Sequence, residues 1–285
     1  MSFAAAVAAR ESQIVLGLDP DPANLWPAAA AVAERTSGSA AQRAGAAVLE
    51  QCRLLIDAAG PACVATKPQL ACFERLGAAG WAALERTVEL SHDAGLLVIA
   101  DGKRGDVPVT AAAYAQALAG VTPTVAGEVS GLGTDAFTAN PLLGADALAP
   151  LIATGMTVFL LVRTSNPGAA DVQDLAMADG RPLWEHLAAL ADRLGTGAVV
   201  GATAPEHLAR ARELMPRATF LLPGIGAQGG RVEGLLPAFA PGRAGGLVAA
   251  ARAISAAHEE RGGDPAGAAR EEAERLRELA WNLAR

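Results

Sequence analysis

The chain predicts a single (β/α)8 barrel, a TIM barrel, spanning residues 1–285 as one domain. Three observations carry that expectation. Short apolar runs containing β-branched residues recur eight times, each followed by a longer stretch with helical patterning. The runs are apolar on both faces, as strands covered on both sides of a sheet must be, and strand–helix alternation makes neighbouring strands parallel. Eight such units suit a closed barrel better than an open doubly wound sheet, and no GxGxxG follows the first run to support a dinucleotide-binding fold.

The elements follow in order. Residues 1–10 are rich in alanine and read as a short helix; they lack the positive n-region of a secretory signal. Residues 14–19 form the first strand. A helix over 40–59 leads to the strand 62–67, a helix over 78–94 to the strand 96–101, and a helix over 110–119 to the strand 136–139. The strand 157–162 follows, then a helix over 182–194, the strand 198–201, a helix over 205–214, and the strands 219–222 and 246–249. Residues 265–285, rich in Glu, Arg and Leu, read as a closing amphipathic helix. Residues 107–127 carry no charged side chain and would be long enough to cross a bilayer. Pro108, Thr110, Gln116, Gly120 and Pro123 instead make them a packed helix plus loop.

Composition excludes several classes of partner. A formal net charge of −7 sets the overall field against a nucleic-acid backbone or an anionic membrane, while leaving room for local phosphate binding. Cys52, Cys63 and Cys72 form no CxxC pair and are odd in number, which suits buried thiols in a reducing, cytoplasmic compartment. The four histidines, His92, His186, His207 and His258, are scattered without ligand spacing, so no metal site is expected.

Only two of the 23 basic residues are lysines, Lys67 and Lys103. Arginine stays protonated and prefers forked recognition, whereas an ammonium is a compact charge that can give up a proton. Both lysines end apolar runs, and strand ends are where barrel enzymes keep their chemistry. The other strand ends are polar too: Asp19 ends the first run, Asp101 the third and Asn140 the fourth, Thr164-Ser165-Asn166 follows the fifth, a glycine-rich segment the seventh, and Arg252 the eighth. The seventh and eighth loops are where barrels often hold phosphate with backbone amides and one cation. Asp101 and Lys103 are two apart and so face the same side of a strand. A carboxylate beside an ammonium keeps it charged and placed; with Asp106 as a second carboxylate, such a cluster can stabilise a developing carbanion and then protonate it, with no cofactor. Asp106, before Val107-Pro108, also fits a plain helix cap.

The segments Leu16-Gly17-Leu18-Asp19-Pro20, Lys67-Pro68-Gln69 with Phe73-Glu74, Ala100-Asp101-Gly102-Lys103-Arg104-Gly105-Asp106, Thr164-Ser165-Asn166-Pro167-Gly168-Ala169 and Pro223-Gly224-Ile225-Gly226-Ala227-Gln228-Gly229-Gly230 together resemble the longer form of the orotidine 5′-phosphate decarboxylase family. The resemblance covers most of the chain. It implies conversion of orotidine 5′-monophosphate to uridine 5′-monophosphate, the last step of de novo pyrimidine synthesis, with Lys103 protonating C6. It implies a catalytic tetrad of Lys67, Asp101, Lys103 and Asp106 in a homodimer with shared sites, Asp106 and Thr110 reaching into the neighbouring subunit. It places Asp19 and Lys67 on ribose hydroxyls, Ser165 on the pyrimidine edge, and Gln228 with Arg252 on the phosphate. Two departures stand out: Pro108-Val109 where the family pattern has Gly-Ser, and Ala249-Ala250-Ala251 where it has Asn-Ser-Ser.

Rival expectations are a metal-assisted sugar-phosphate decarboxylase or aldolase on the same barrel, a Schiff-base aldolase using Lys67 or Lys103, and a non-catalytic phosphate-binding barrel.

Overall fold

The computed structural model describes residues 2–226 and 229–284. Among them ten strands run in chain order: β1 (Ile14–Leu18), β2 (Ala65–Pro68), β3 (Leu97–Arg104), β4 (Val121–Thr124), β5 (Gly127–Ser130), β6 (Ala136–Ala139), β7 (Thr157–Arg163), β8 (Gly197–Val200), β9 (Phe220–Leu222) and β10 (Gly246–Ala250). Eight of them close a parallel barrel in the order β1-β10-β9-β8-β7-β6-β3-β2. The expected barrel is therefore present, each of the eight apolar runs supplying one strand. Between and around them lie α1 (Phe3–Arg10), α2 (Pro27–Arg35), α3 (Ala40–Ala59), α4 (Leu70–Glu74), α5 (Ala78–Asp93), α6 (Pro108–Ala119), α7 (Ala145–Ile152), α8 (Leu183–Leu194), α9 (Pro205–Leu214), α10 (Arg252–Ser255), α11 (Ala257–Arg261) and α12 (Pro265–Leu283). The crossover from β9 to β10 is a 3-10 helix, Val232–Phe239.

Local chemistry sets the helix limits. Ser39 caps α3 with a full capping box, its hydroxyl taking the Gln42 N–H while the Gln42 side chain takes its own. Asp264 caps α12, where Pro265 opens the first turn. Gly195, left-handed at φ 67°, ends α8.

Two packed layers result. Strand residues such as Leu16, Leu18, Val98, Phe137, Leu160 and Leu222 face outward and pack against the helices. The alternate residues Val15, Ala65, Ile99, Ala136, Phe159, Leu221 and Ala249 face inward, and Phe3, Ala6 and Val7 of α1 join them. Phe3 meets Phe159 edge-on with ring centroids 6.0 Å apart, so α1 plugs the barrel floor.

One segment departs from expectation. Residues 107–127 were expected as helix plus loop, but after α6 the chain turns into the hairpin β4–β5, which stands apart from the barrel as its own two-stranded sheet. Its Val121, Val125 and Val129 are exposed. No described helix is long and apolar enough to cross a membrane. Cys52 and Cys63 are buried, and burial pushes both thiols up to about 12; Cys72 is only half-buried, and all three are free.

Candidate active site

The inward-facing residues define the site by simple alternation. Two positions beyond Val15, Ala65, Ile99 and Ala136 come Gly17, Lys67, Asp101 and Thr138, which lie one layer above the apolar interior at the C-terminal mouth. Small side chains let the mouth close tightly: a Cβ added to Gly17 would sit 2.5 Å from the Ala251 Cβ. Gly17 and Ala251, the last of the three alanines that depart from the family pattern, thus let β1 approach the segment that delivers Arg252.

Asp101 is the hub. Its Oδ2 accepts from Lys67 Nζ at 2.9 Å and Gln69 Nε2 at 3.2 Å, and its Oδ1 accepts from Lys103 Nζ at 2.7 Å and the Thr138 hydroxyl at 2.8 Å. Both carboxylate oxygens are thereby occupied by two donors each, close to a carboxylate's full capacity. Burial alone would raise the Asp101 pKa, but Lys67 and Lys103 outweigh it and hold the group well below the usual carboxylate range. Burial likewise disfavours the Lys67 ammonium, yet Asp101 and Asp19, the latter at 3.7 Å, more than reverse this and raise its pKa. Lys67 is therefore a fixed, buried cation. Lys103 differs, because 43% of its side chain remains exposed. It is the more accessible of the two ammonium groups, while Lys67 reaches the mouth only as part of the cavity wall beside Asp19.

Lys103 also has left-handed backbone at φ 49°, one of two such non-glycine residues among those described. The register of β3 against β6 shifts between Ala100 and Arg104, so the Asp101-Gly102-Lys103 segment bulges. Gly102 permits the bulge to pack, since a Cβ there would lie 2.6 Å from Leu70 Cδ1. Arg104, back in register opposite Ala139, pairs its side chain with Glu74 and lies 5.3 Å over the Tyr114 ring.

The remaining expected residues fall as follows. A cavity of about 120 Å³ is lined by Asp19, Lys67, Pro223, Gly224 and Arg252, so the structure brings together the ends of β1, β2, β9 and β10. Arg252 opens α10, is exposed, and forms no ion pair among the described residues. Ser165 is half-buried beyond β7, on a loop tied down by Thr164, whose N–H donates to Gln173 Oε1 at 2.8 Å. Gln228 lies outside the described residues. Asp106 does not complete a tetrad within one chain: its Oδ1 takes the Val107 N–H at 2.7 Å, and no salt bridge to Lys103 forms among the described residues. Nor is Asp106 the cap of α6, whose N-cap position is Val107. Thr110 lies half-buried in the first turns of the same helix. No group of three or more His, Cys, Asp or Glu side chains converges as a metal site would, among the described residues.

Residues 12–271 match the Orotidine 5'-phosphate decarboxylase / HUMPS family. The chain belongs to that family. It is 38% identical over 279 residues to the orotidine 5'-phosphate decarboxylase of Rhodopirellula baltica, covering 91% of this chain and 90% of that one. Among solved structures it resembles the OMP decarboxylase of Leishmania donovani, with a TM-score of 0.74, 34% identity and coverage of 98% and 99%. A Streptomyces avermitilis protein described as a putative orotidine 5'-phosphate decarboxylase gives a TM-score of 0.77 at 30% identity, covering 99% of this chain and 94% of that one.

Two contributors to the cluster escaped the sequence. Gln69 belongs to a quoted motif but received no role, although its bridge to Asp101 in the ladder follows from its place just beyond β2. Thr138 sits in an apolar run, where threonine reads as an ordinary strand former.

Proposed function

We propose that this barrel decarboxylates orotidine 5′-monophosphate to uridine 5′-monophosphate and carbon dioxide, in pyrimidine biosynthesis. The observation that carries the reading is the Lys67–Asp101–Lys103 array, one carboxylate locked between two ammonium groups, of which the second is the more exposed. Loss of the C6 carboxylate leaves a carbanion that the pyrimidine ring delocalises poorly. Lys103 stabilises it as the ammonium and then donates a proton to C6, forming the new C–H bond as the amine is left neutral. Asp101 fixes the direction of Lys103 through their 2.7 Å contact, and Lys67 balances the charge of Asp101. The chemistry asks for no cofactor. It suits a reducing cytoplasm, where the three thiols stay free.

The direct test follows ultraviolet absorbance of orotidine 5′-monophosphate in the presence of a chelator. Turnover is expected to be unaffected. No consumption of the nucleotide would sink the reading, and turnover abolished by the chelator would overturn the metal-free chemistry.

Asp19 and Lys67 serve the ribose hydroxyls, Ser165 the pyrimidine edge, and Gln228 with Arg252 the phosphate. For Arg252 the supporting facts are its lack of an ion-pair partner among the described residues and its place beside the glycine-rich loop after β9. Arg252→Ala is expected to raise KM for the nucleotide by on the order of 100-fold, a loss of about 3 kcal/mol for a charge-assisted contact. The corresponding nucleoside acid, which lacks phosphate, should be processed with little change. Equal losses for the two substrates would place Arg252 elsewhere.

Asp106 and Thr110 act in trans, in a homodimer. Support comes from the failure of Asp106 to pair with Lys103 within its own chain, and from exposed Val107, Val109, Leu142 and Leu143 on the two segments that meet where Gly105 abuts Asn140. Lys67→Ala and Asp106→Ala proteins should each be almost inactive. Denatured and refolded together, they should recover roughly a quarter of wild-type activity, because half the dimers are mixed and each mixed dimer has one intact site. Wild type carried through the same treatment is the control. No recovery while the control refolds would return Asp106 to its own barrel.

A further inference from the structure

We propose that Thr138 is a positioning residue for the reaction, a single hydroxyl that sets where the Lys103 ammonium stands relative to Asp101. The inference rests on the reading of Asp101 and Lys103 given above. Thr138 lies on β6 and is 1% exposed, so its side chain has no access to solvent and little to move into. Its Oγ1–H donates to Asp101 Oδ1 at 2.8 Å, and the same oxygen accepts the Lys103 backbone N–H at 2.9 Å. The hydroxyl has one proton, and Asp101 takes it. The oxygen's orientation is therefore fixed, leaving a lone pair for Lys103.

The sheet makes this contact necessary. Ile99 and Ala100 pair with Ala136 and Phe137, and the next paired residues are Arg104 and Ala139. Three residues, Asp101 to Lys103, thus stand opposite Thr138 alone. In a regular ladder the N–H of a bulged residue would find a main-chain carbonyl across the strand pair; here the threonine side chain accepts it instead. That bond holds Lys103 in its left-handed conformation, which a residue with a side chain adopts only when its surroundings impose it. The left-handed turn in the bulge is the means by which the ammonium comes to 2.7 Å from the carboxylate while still facing the mouth. Thr138 does not line the cavity shared by Asp19 and Arg252, and its hydroxyl bonds only Asp101 and Lys103 among the described residues, so its effect should fall on the chemical step and spare nucleotide binding.

The test compares Thr138→Val, which keeps the shape and removes the hydroxyl, with Thr138→Ser, which keeps the hydroxyl. kcat, KM and thermal melting are measured for each, with Lys103→Ala and Asp101→Asn alongside. For Thr138→Val, kcat should fall at least ~30-fold, about 2 kcal/mol, with KM within about 3-fold of wild type. Thr138→Ser should recover to within about 5-fold of wild-type kcat. A purely structural role would lower the melting temperature and leave kcat per folded enzyme unchanged, which overturns the proposal. A serine variant as slow as the valine variant also overturns it. Where Thr138→Val does not fold, Thr138→Ala takes its place against the same serine comparison. If Lys103→Ala and Asp101→Asn keep full turnover, the reading of the site falls and this inference with it. If they lose turnover while Thr138→Val keeps it, only the inference falls.

Discussion

Lys103→Arg will be nearly inactive although it retains the positive charge. The Lys103 ammonium is 2.7 Å from Asp101 Oδ1, on a bulge whose backbone is held at φ 49°. A guanidinium is longer and planar, and would either push past the carboxylate into the mouth or tilt away from it. Its deeper fault is chemical: it stays protonated and cannot hand a proton to a carbanion near neutral pH, whereas an ammonium can. The loss should fall on kcat, measured by steady-state turnover of orotidine 5′-monophosphate. A residual rate above about a tenth of wild type, a loss under roughly 1.4 kcal/mol, would show that charge alone suffices and that the proton comes from elsewhere.

Arg212→Met should cost the fold substantial stability, because it empties a buried guanidinium site. Arg212, on α9, is buried, with no acidic partner among the described residues. Its guanidinium donates to the carbonyls of Met215 at 2.8 Å, Ala218 at 2.8 Å, Ala238 at 2.7 Å and Gly245 at 3.0 Å. Its plane lies 3.8 Å from the Phe220 ring centroid. One side chain therefore ties the end of α9 to the entries of β9 and β10 and to the 3-10 helix between them. Methionine fills a similar volume but strands four carbonyls, at about 1–3 kcal/mol for each that water cannot reach. A net loss on the order of 4 kcal/mol is expected, lowering the melting temperature by about 10 °C. These contacts lie at the barrel's N-terminal rim, so kcat of the folded variant should be preserved. A change of under about 1 kcal/mol in denaturant unfolding would mean the carbonyls find other partners.

The strands were legible because a buried parallel strand has no polar face to hide it. All eight runs match, and the helices over 40–59 and 205–214 coincide with α3 and α9. The hairpin β4–β5 was not legible, since its strands have four residues each and are exposed, leaving no buried face to impose alternation. At the site, the lysines and Asp101 declared themselves by chemistry at strand ends. Thr138 did not, because a hydroxyl inside an apolar run announces nothing until the neighbouring strand is known to bulge. Arg212 was hidden for the opposite reason: an arginine among Glu206, Arg210 and Glu213 on a polar helix reads as a solvated face, and its partners are main-chain atoms that no side-chain pattern reveals.

The plug formed by α1 makes the barrel a blind well for electrolyte. With Phe3 and Val7 closing the floor, mobile ions can approach the Asp101 array only from the side on which Lys103 stands. Screening in water extends over a Debye length of about 8 Å at physiological ionic strength, and it acts only where ions can circulate. Lys67 and the inner edge of Asp101 are thus screened much less than the exposed outer ammonium. An anionic occupant at the mouth would displace mobile ions from that one open side and so strengthen the field of the array it covers.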